Sequence, residues 1–228
     1  MDMQNDEIIM DAPARRRGRP AHNAVHAMEE GVLLALAFQT FAERGYEGTT
    51  LRELAKQLGV SHNLINVRFG KKADLWKHAV DWRLGRASSL VTVAFDTDAD
   101  PEARLRSLIH LFCHWATEHT DIVALTHVEG YRNTWRLDYI VLHFILPFKE
   151  RLDSLIAEVA GTRPVSTLST AGLMAMLVQG VGYFFGAVPL QQRLGAGSDV
   201  APVNAPRQAE LMADFLLAGL LPEQGLKR

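Results

Sequence analysis

Apolar residues settle onto a helical period from about Met28. Leu34, Phe38 and Phe41 recur at i, i+4 and i+7, and Gly45 follows Arg44 where a C-cap is needed, which predicts a first helix. Thr50 and Glu53 make a T-x-x-E capping box, which opens a second helix over Leu51 to Leu58. Gly59-Val60-Ser61 interrupts the pattern, because glycine accepts a left-handed backbone and serine is a good N-cap. His62 to about Phe69 then reads as a third helix, and two short helices joined by a tight glycine-containing turn are the helix-turn-helix signature. A longer helix follows from about Lys71 to Ser88, with Leu75, Ala79, Trp82 and Leu84 as its apolar positions. Pro101 suits the first turn of the next helix, through Leu105, Leu108, Phe112 and Trp115. Further helical periods cover Ile122 to Glu129, Thr134 to Val159, Ser166 to Val188 and Arg207 to Leu220. Pro147 inside the second of these predicts a kink or break near Ile145. No strand-like alternation competes, so the fold class is all-α.

The periods divide the chain into three parts. Residues 1–24 lack apolar periodicity and contain Arg15-Arg16-Arg17-Gly18-Arg19-Pro20, which reads as a disordered basic arm. Residues 25–72 form a three-helix helix-turn-helix domain, with a linking helix to about residue 88. Residues 73–228 form a larger helical domain.

Composition narrows the class. With 48% of its 228 residues hydrophobic and 22% charged, the chain has material for a buried core. Its apolar stretches are interrupted, as Ala171 to Val188 is by Gln179 and four glycines, so no run has the roughly 18 to 20 residues of a spanning helix. The N-terminus is acidic and lacks a secretory pattern, so a cytoplasmic protein without a membrane partner is expected. A single cysteine, Cys113, excludes an intrachain disulfide and a cysteine-based zinc module, and a plain buried thiol is expected there. Charge is uneven. Residues 12–90 carry 13 Lys and Arg against 7 Asp and Glu, whereas residues 91–228 carry 11 against 15. A positive module on a mildly acidic body fits one end facing phosphate.

The run from Phe41 through Arg44-Gly45-Tyr46-Glu47-Gly48-Thr49-Thr50-Leu51-Arg52-Glu53-Leu54-Ala55, continuing to Leu58-Gly59-Val60-Ser61 and Phe69-Gly70-Lys71-Lys72-Ala73-Asp74-Leu75, closely resembles the tetracycline-repressor (TetR) family. The resemblance covers about residues 30–80. It implies an all-helical homodimer with an N-terminal DNA-binding domain, a recognition helix at His62 to Phe69, and a C-terminal domain for effector binding and dimerisation. The recognition helix departs from the family's usual pattern: Asn63, Leu64 and Asn66 stand where small or hydroxyl residues and Tyr are common, and Arg68 replaces a second aromatic.

The residues themselves support DNA binding. Val60, Ile65 and Phe69 are expected to pack inward against Phe41, Leu51, Leu54 and Leu58, leaving His62, Asn63, Leu64, Asn66, Val67 and Arg68 outward. Asn63 suits adenine, Leu64 or Val67 a thymine methyl, and Arg68 guanine or phosphate. Thr50, Arg52, Ser61 and Lys72 lie at helix starts, where phosphate is held. Arg17 and Arg19 resemble arms that enter the minor groove; a solubilising tail is the alternative.

In the body, Phe112, Trp115, Trp135, Tyr139, Phe144, Met176 and Tyr183 offer an aromatic and methionine surface for a largely apolar small-molecule effector, although ordinary core accounts for each one singly. Arg132 and Arg136 at i, i+4 suit an acidic effector or ion pairs with Glu129 or Asp138. Leu173, Met176, Leu177, Gly180, Leu211, Phe215 and Leu216 are the apolar surface for self-association through the last two long helices, which the resemblance implies. His110 and His114 share a helix face, but no further ligand is fixed beside them, so no metal or other cofactor is expected. No nucleophile elbow, P-loop or dinucleotide fingerprint is present, so catalysis is unsupported. The expectation is a sequence-specific DNA-binding transcriptional regulator, a repressor released from a palindromic operator by a small-molecule effector, with an effector-independent DNA-binding activator or architectural factor as the alternative.

Overall fold

The computed structural model describes residues 30–95 and 97–222, so the basic arm with Arg17 and Arg19 lies outside the described residues. Among the described residues the chain is helical and has no strand. The N-terminal head consists of α1 (Glu30–Arg44), α2 (Leu51–Gln57) and α3 (His62–Phe69), and α4 (Lys72–Phe95) leads out of it. The body contains α5 (Pro101–Glu118), α6 (Thr120–Gly130), α7 (Trp135–Ile140), α8 (Leu146–Ala160), α9 (Thr170–Ala175), α10 (Tyr183–Gly186), α11 (Val188–Arg193) and α12 (Ala205–Leu220). Two π-helical segments, Val141–Ile145 and Met176–Gly182, join α7 to α8 and α9 to α10.

Local chemistry accounts for the boundaries. Helix α2 ends in a Schellman motif: Gly59 sits at φ 66°, its N–H donates to Lys56 O at 3.2 Å, and the Val60 N–H donates to Ala55 O at 3.0 Å. Asp100 caps α5 by accepting from Ala103 N at 3.0 Å, with Pro101 in the first turn. The break expected near Ile145 is a change of helical register. Pro147 has no N–H for the His143 carbonyl and its ring crowds that group, while the Leu146 N–H reaches back to Val141 O, an i to i−5 bond. Helix α4 continues to Phe95 rather than ending at Ser88. Hydroxyls that favour a break are absorbed by the helix, with Ser88 donating to Leu84 O at 2.9 Å and Thr92 to Ser88 O at 3.0 Å.

Two apolar cores result. Leu33, Phe38, Phe41, Leu54, Ile65 and Phe69 of the head pack with Leu75, Trp76, Ala79 and Val80 of α4, and Ile122, Leu125 and Ile140 of the body join the same core. The second core gathers Leu105, Ile109, Cys113, Leu152, Leu155, Leu173, Leu177, Phe185, Ala209 and Leu217, with α12 lying along α5. Cys113 is fully buried, and burial pushes its thiol up to about 12. A raised folded-state value means that stability conferred by the neutral thiol is complete below the unfolded value and declines as pH rises from there toward about 12. The thiol should therefore resist a chromogenic disulfide reagent at pH 8 in the native protein and react at once in denaturant.

Gly182 lets the second π-helical segment close onto α6: a Cβ there would meet Val123 Cγ2 at 2.8 Å. Gly85, in α4, has nothing within 4 Å of such a Cβ. Gly85→Ala should raise stability by roughly 0.5 to 1 kcal/mol through helix propensity. Gly182→Ala should lower it by about 1 to 3 kcal/mol through overpacking, with Val123→Ala restoring part of the loss in urea unfolding of the double variant.

Candidate nucleic-acid interface and ligand cavity

Helix α3 turns Ile65 and Phe69 into the head core and leaves His62, Asn63, Val67 and Arg68 exposed; Leu64 and Asn66 are half-buried, as is Val60 in the turn. Ser61 caps α3 by accepting from Leu64 N at 3.1 Å, and Thr50 caps α2 by accepting from Glu53 N at 3.2 Å. The Thr50 hydroxyl also donates to the Glu53 carboxylate at 2.8 Å. His62 Nδ1 and Asn66 Nδ2 lie 3.1 Å apart, one turn along the outer face. Arg68 reaches back to Glu30 of α1 at 3.0 Å, so its guanidinium is held by the head in this structure. Val67 is 76% exposed, which is unusual for an aliphatic side chain in an eight-residue helix anchored on both sides. Arg52 is exposed at the start of α2, and Lys72 lies 4.2 Å above the Tyr46 ring at the start of α4. Burial beside that ring lowers the Lys72 ammonium from its ordinary value.

Polar links tie the head and α4 to the body. Arg136 of α7 is 3% exposed and pairs at 2.9 Å with Glu129 of α6, which is 1% exposed. The same guanidinium lies 4.4 Å over the Tyr46 ring and 3.6 Å from Glu47, both in the α1–α2 turn. Arg83 of α4 grips Asp121 of α6 with two bonds of 2.7 and 2.8 Å. Tyr139 donates to Asp81 at 2.7 Å, and burial together with that bond raises its phenol to about 12.

Beyond these links α4 borders a cavity of about 290 Å³. Leu84, Ala87, Ser88, Thr92 and Phe95 supply one wall, and Phe112 and Trp115 of α5 another. Ile122, Val123 and Thr126 come from α6; His143, Phe144 and Ile145 come from the first π-helical segment; Leu177 and Val178 come from the second. Both register changes therefore flank the cavity. An inserted residue rotates the following side chains, which is one reason such segments occur beside functional sites.

Of the residues expected at an effector site, the cavity brings together Phe112, Trp115 and Phe144. Trp135 and Tyr139 pack instead edge-on against Trp76, at 5.2 and 5.9 Å, and Trp135 also meets Tyr46. Arg132 is exposed at the end of α6, and Met176 and Tyr183 lie on the outside at 49% and 41% exposure. Sequence reasoning missed the α4 wall and Arg151. The signal available was the i, i+4, i+8 spacing of Leu84, Ser88 and Thr92 on one helix face. Of the self-association surface, Leu173 and Leu177 belong to the inner core and Leu216 packs against it, while Gly180, Leu211 and Phe215 are exposed. His110 lies 3.4 Å from Asp214, and no group of three or more His, Cys, Asp or Glu among the described residues is arranged to hold a metal ion. No helix among the described residues is long and apolar enough to cross a membrane.

Residues 33–79, from the first turn of α1 through the first turns of α4, match the family model described as bacterial regulatory proteins, tetR family. Over these residues the head is of the TetR type. The HTH-type transcriptional activator FasR of Mycolicibacterium smegmatis is 29% identical over 110 residues, 48% of this chain and 47% of that protein, so the match spans about half the relative's length. The TetR fold extends through the body. The ketosteroid transcriptional regulator KstR2 of Mycobacterium tuberculosis superposes with a TM-score of 0.65 over 86% of this chain and 97% of its own, at 19% identity. The regulator FadR from Bacillus subtilis, in complex with stearoyl-CoA, gives 0.60 over 82% and 97%, at 15% identity.

The Arg136–Glu129 pair yields a stability test. Arg136→Met leaves a buried carboxylate without its counter-charge and should cost about 3 to 5 kcal/mol in urea unfolding. Glu47→Gln, at a side chain 74% exposed, should cost under about 1 kcal/mol. Adding Glu129→Gln to Arg136→Met should recover part of the loss, since the uncompensated charge is then gone.

Proposed function

We propose that this TetR-family protein binds a pseudo-palindromic DNA operator as a homodimer and that a lipophilic small molecule in the α4–α8 cavity releases it. The observation that carries the reading is the double role of α4, which packs into the head core through Leu75, Trp76 and Ala79 and walls the cavity through Leu84, Ser88 and Thr92. A ligand that displaces the cavity half of this helix changes the separation of the two recognition helices, which gives two sites one coupling free energy. Asn63 and Val67 are the base-reading residues in this proposal, with His62, Leu64, Asn66 and Arg68 beside them. Thr50, Arg52, Ser61 and Lys72 hold phosphate, and Arg17 and Arg19 reach the minor groove. Arg68 must leave Glu30 to reach DNA.

Self-association is assigned to the outer faces of α9 to α10 and of α12, where Met176, Tyr183, Leu211 and Phe215 are 41 to 80% exposed. Large apolar side chains grouped on a surface favour a partner surface of the same kind, and a two-fold dimer supplies it. The cavity's lining is mostly apolar, and FadR in its complex with stearoyl-CoA and the ketosteroid regulator KstR2 support a lipophilic effector. FasR, described as an activator, favours a second reading in which ligand leaves the DNA complex intact or strengthens it.

Selection of bound sequences from a random duplex pool, followed by anisotropy titration of the winner across salt concentrations, tests the DNA reading. An inverted repeat with a steep salt slope is expected; recovery of no motif would defeat it. Asn63→Ala should relax preference at one base position in each half-site by roughly 1 to 3 kcal/mol. Phe215→Glu should convert the dimer to monomer in sedimentation and weaken operator binding. Loss of operator affinity on adding a saturating lipophilic ligand supports release, and undiminished affinity supports the activator reading.

A further inference from the structure

We infer that the cavity selects a lipophilic acid that seats its anionic head at Arg151. The inference rests on reading the cavity as the effector site and adds the ligand's charge and where it sits.

The cavity has two unlike ends. Leu84, Ile122 and Ile140 belong to the core shared with the head, whereas Phe95 belongs to the core of the body. Leu84 and Phe95 are eleven residues apart on one helix, so the walls run for about 16 Å at 1.5 Å per residue. That shape suits an elongated apolar body. Ser88 and Thr92 of α4, with His143 and Pro147, are lining positions that are also exposed.

Charge distinguishes the distal end. Among the described lining residues there is no Asp or Glu, and Arg151 is the one Lys or Arg. Its guanidinium lies 4.6 Å above the Phe95 ring, and Phe95 is itself edge-on to Phe148 at 5.7 Å. Arg151 takes part in further interactions of its own. A guanidinium carries five N–H donors in a fork, so it retains such contacts while presenting donors to a carboxylate. Charge-assisted bonds of this kind are shorter and stronger than neutral ones, and the apolar lining keeps water from competing. The Ser88 and Thr92 hydroxyls donate to carbonyls of their own helix, which leaves them only acceptor lone pairs and makes them weaker anion partners than Arg151. An alcohol or hydrocarbon of the same length fills the same walls without using the cation.

The test compares dodecanoate with 1-dodecanol on the full-length dimer, each displacing the neutral fluorescent probe N-phenyl-1-naphthylamine. The native protein should bind the acid at least about tenfold more tightly than the alcohol, the size of one charge-assisted hydrogen bond. Arg151→Gln should remove most of that preference and leave alcohol binding within about twofold, which also serves as its folding control. Arg151→Met, which keeps the stem's packing on Phe95, should do the same. Equal binding of acid and alcohol by the native protein, or a preference that survives both substitutions, overturns the inference while the effector reading of the cavity stands. If neither compound nor the probe binds the native protein, the effector reading falls and this inference falls with it.

Discussion

Helix α4 must be buried twice, against different partners, and the rest of the molecule is arranged around that requirement. Its first half seals Leu75 and Trp76 at 0% exposure beneath the head, and Phe95 at its far end is 6% exposed in the body. At 1.5 Å per residue, a 24-residue helix spans about 36 Å, too far for one small core to cover. Two cores are therefore needed, and the cavity lies in the stretch where the helix passes from one to the other. Because the backbone hydrogen bonds of a helix are internal, α4 joins the two cores as one continuous element.

The ion pairs around α4 limit which tilts are available. Arg83 and Asp81 anchor its exposed side to α6 and α7, and the Arg136–Glu129 pair holds the α1–α2 turn from below. A buried pair of this kind adds little net stability relative to a well-packed apolar substitute, because desolvating both charges offsets most of the attraction. What it supplies is direction. Arg136 pairs with Glu129, lies over Tyr46 and approaches Glu47 at once, so one guanidinium links α6 and α7 to the α1–α2 turn.

The head was readable from the sequence because its information is local. Thr50, Gly59 and Ser61 each act on residues within a few positions, and the structure uses them as N-caps and as a left-handed turn. The helical body was readable at the level of elements for the same reason. Membership of the cavity was not. Helical periodicity assigns a residue to a face but does not say which neighbour that face meets, so Trp135 and Tyr139, on the expected face of α7, join Trp76 rather than the cavity. The π-helical segments add a second difficulty, since one extra residue per turn shifts every later side chain around the axis. Pro147 marked a break, but the choice between a kink and a register change depends on whether the Leu146 N–H finds Val141 O.

That register change also bears on how the cavity persists. Apolar voids in a core tend to collapse, because each Å³ left empty costs about 24 cal/mol in lost contacts. Helices α4 and α5 on one side and α8 on the other would close the gap if they were free to slide. The first π-helical segment prevents this by widening the α7–α8 helix where His143, Phe144 and Ile145 line the space, and Gly182 fixes the second segment against Val123 on the opposite side. The cavity is thus bordered by irregular backbone on two walls and by regular helices on the others, and of those helices α4 is the one that continues into the head core through Leu75, Trp76 and Ala79.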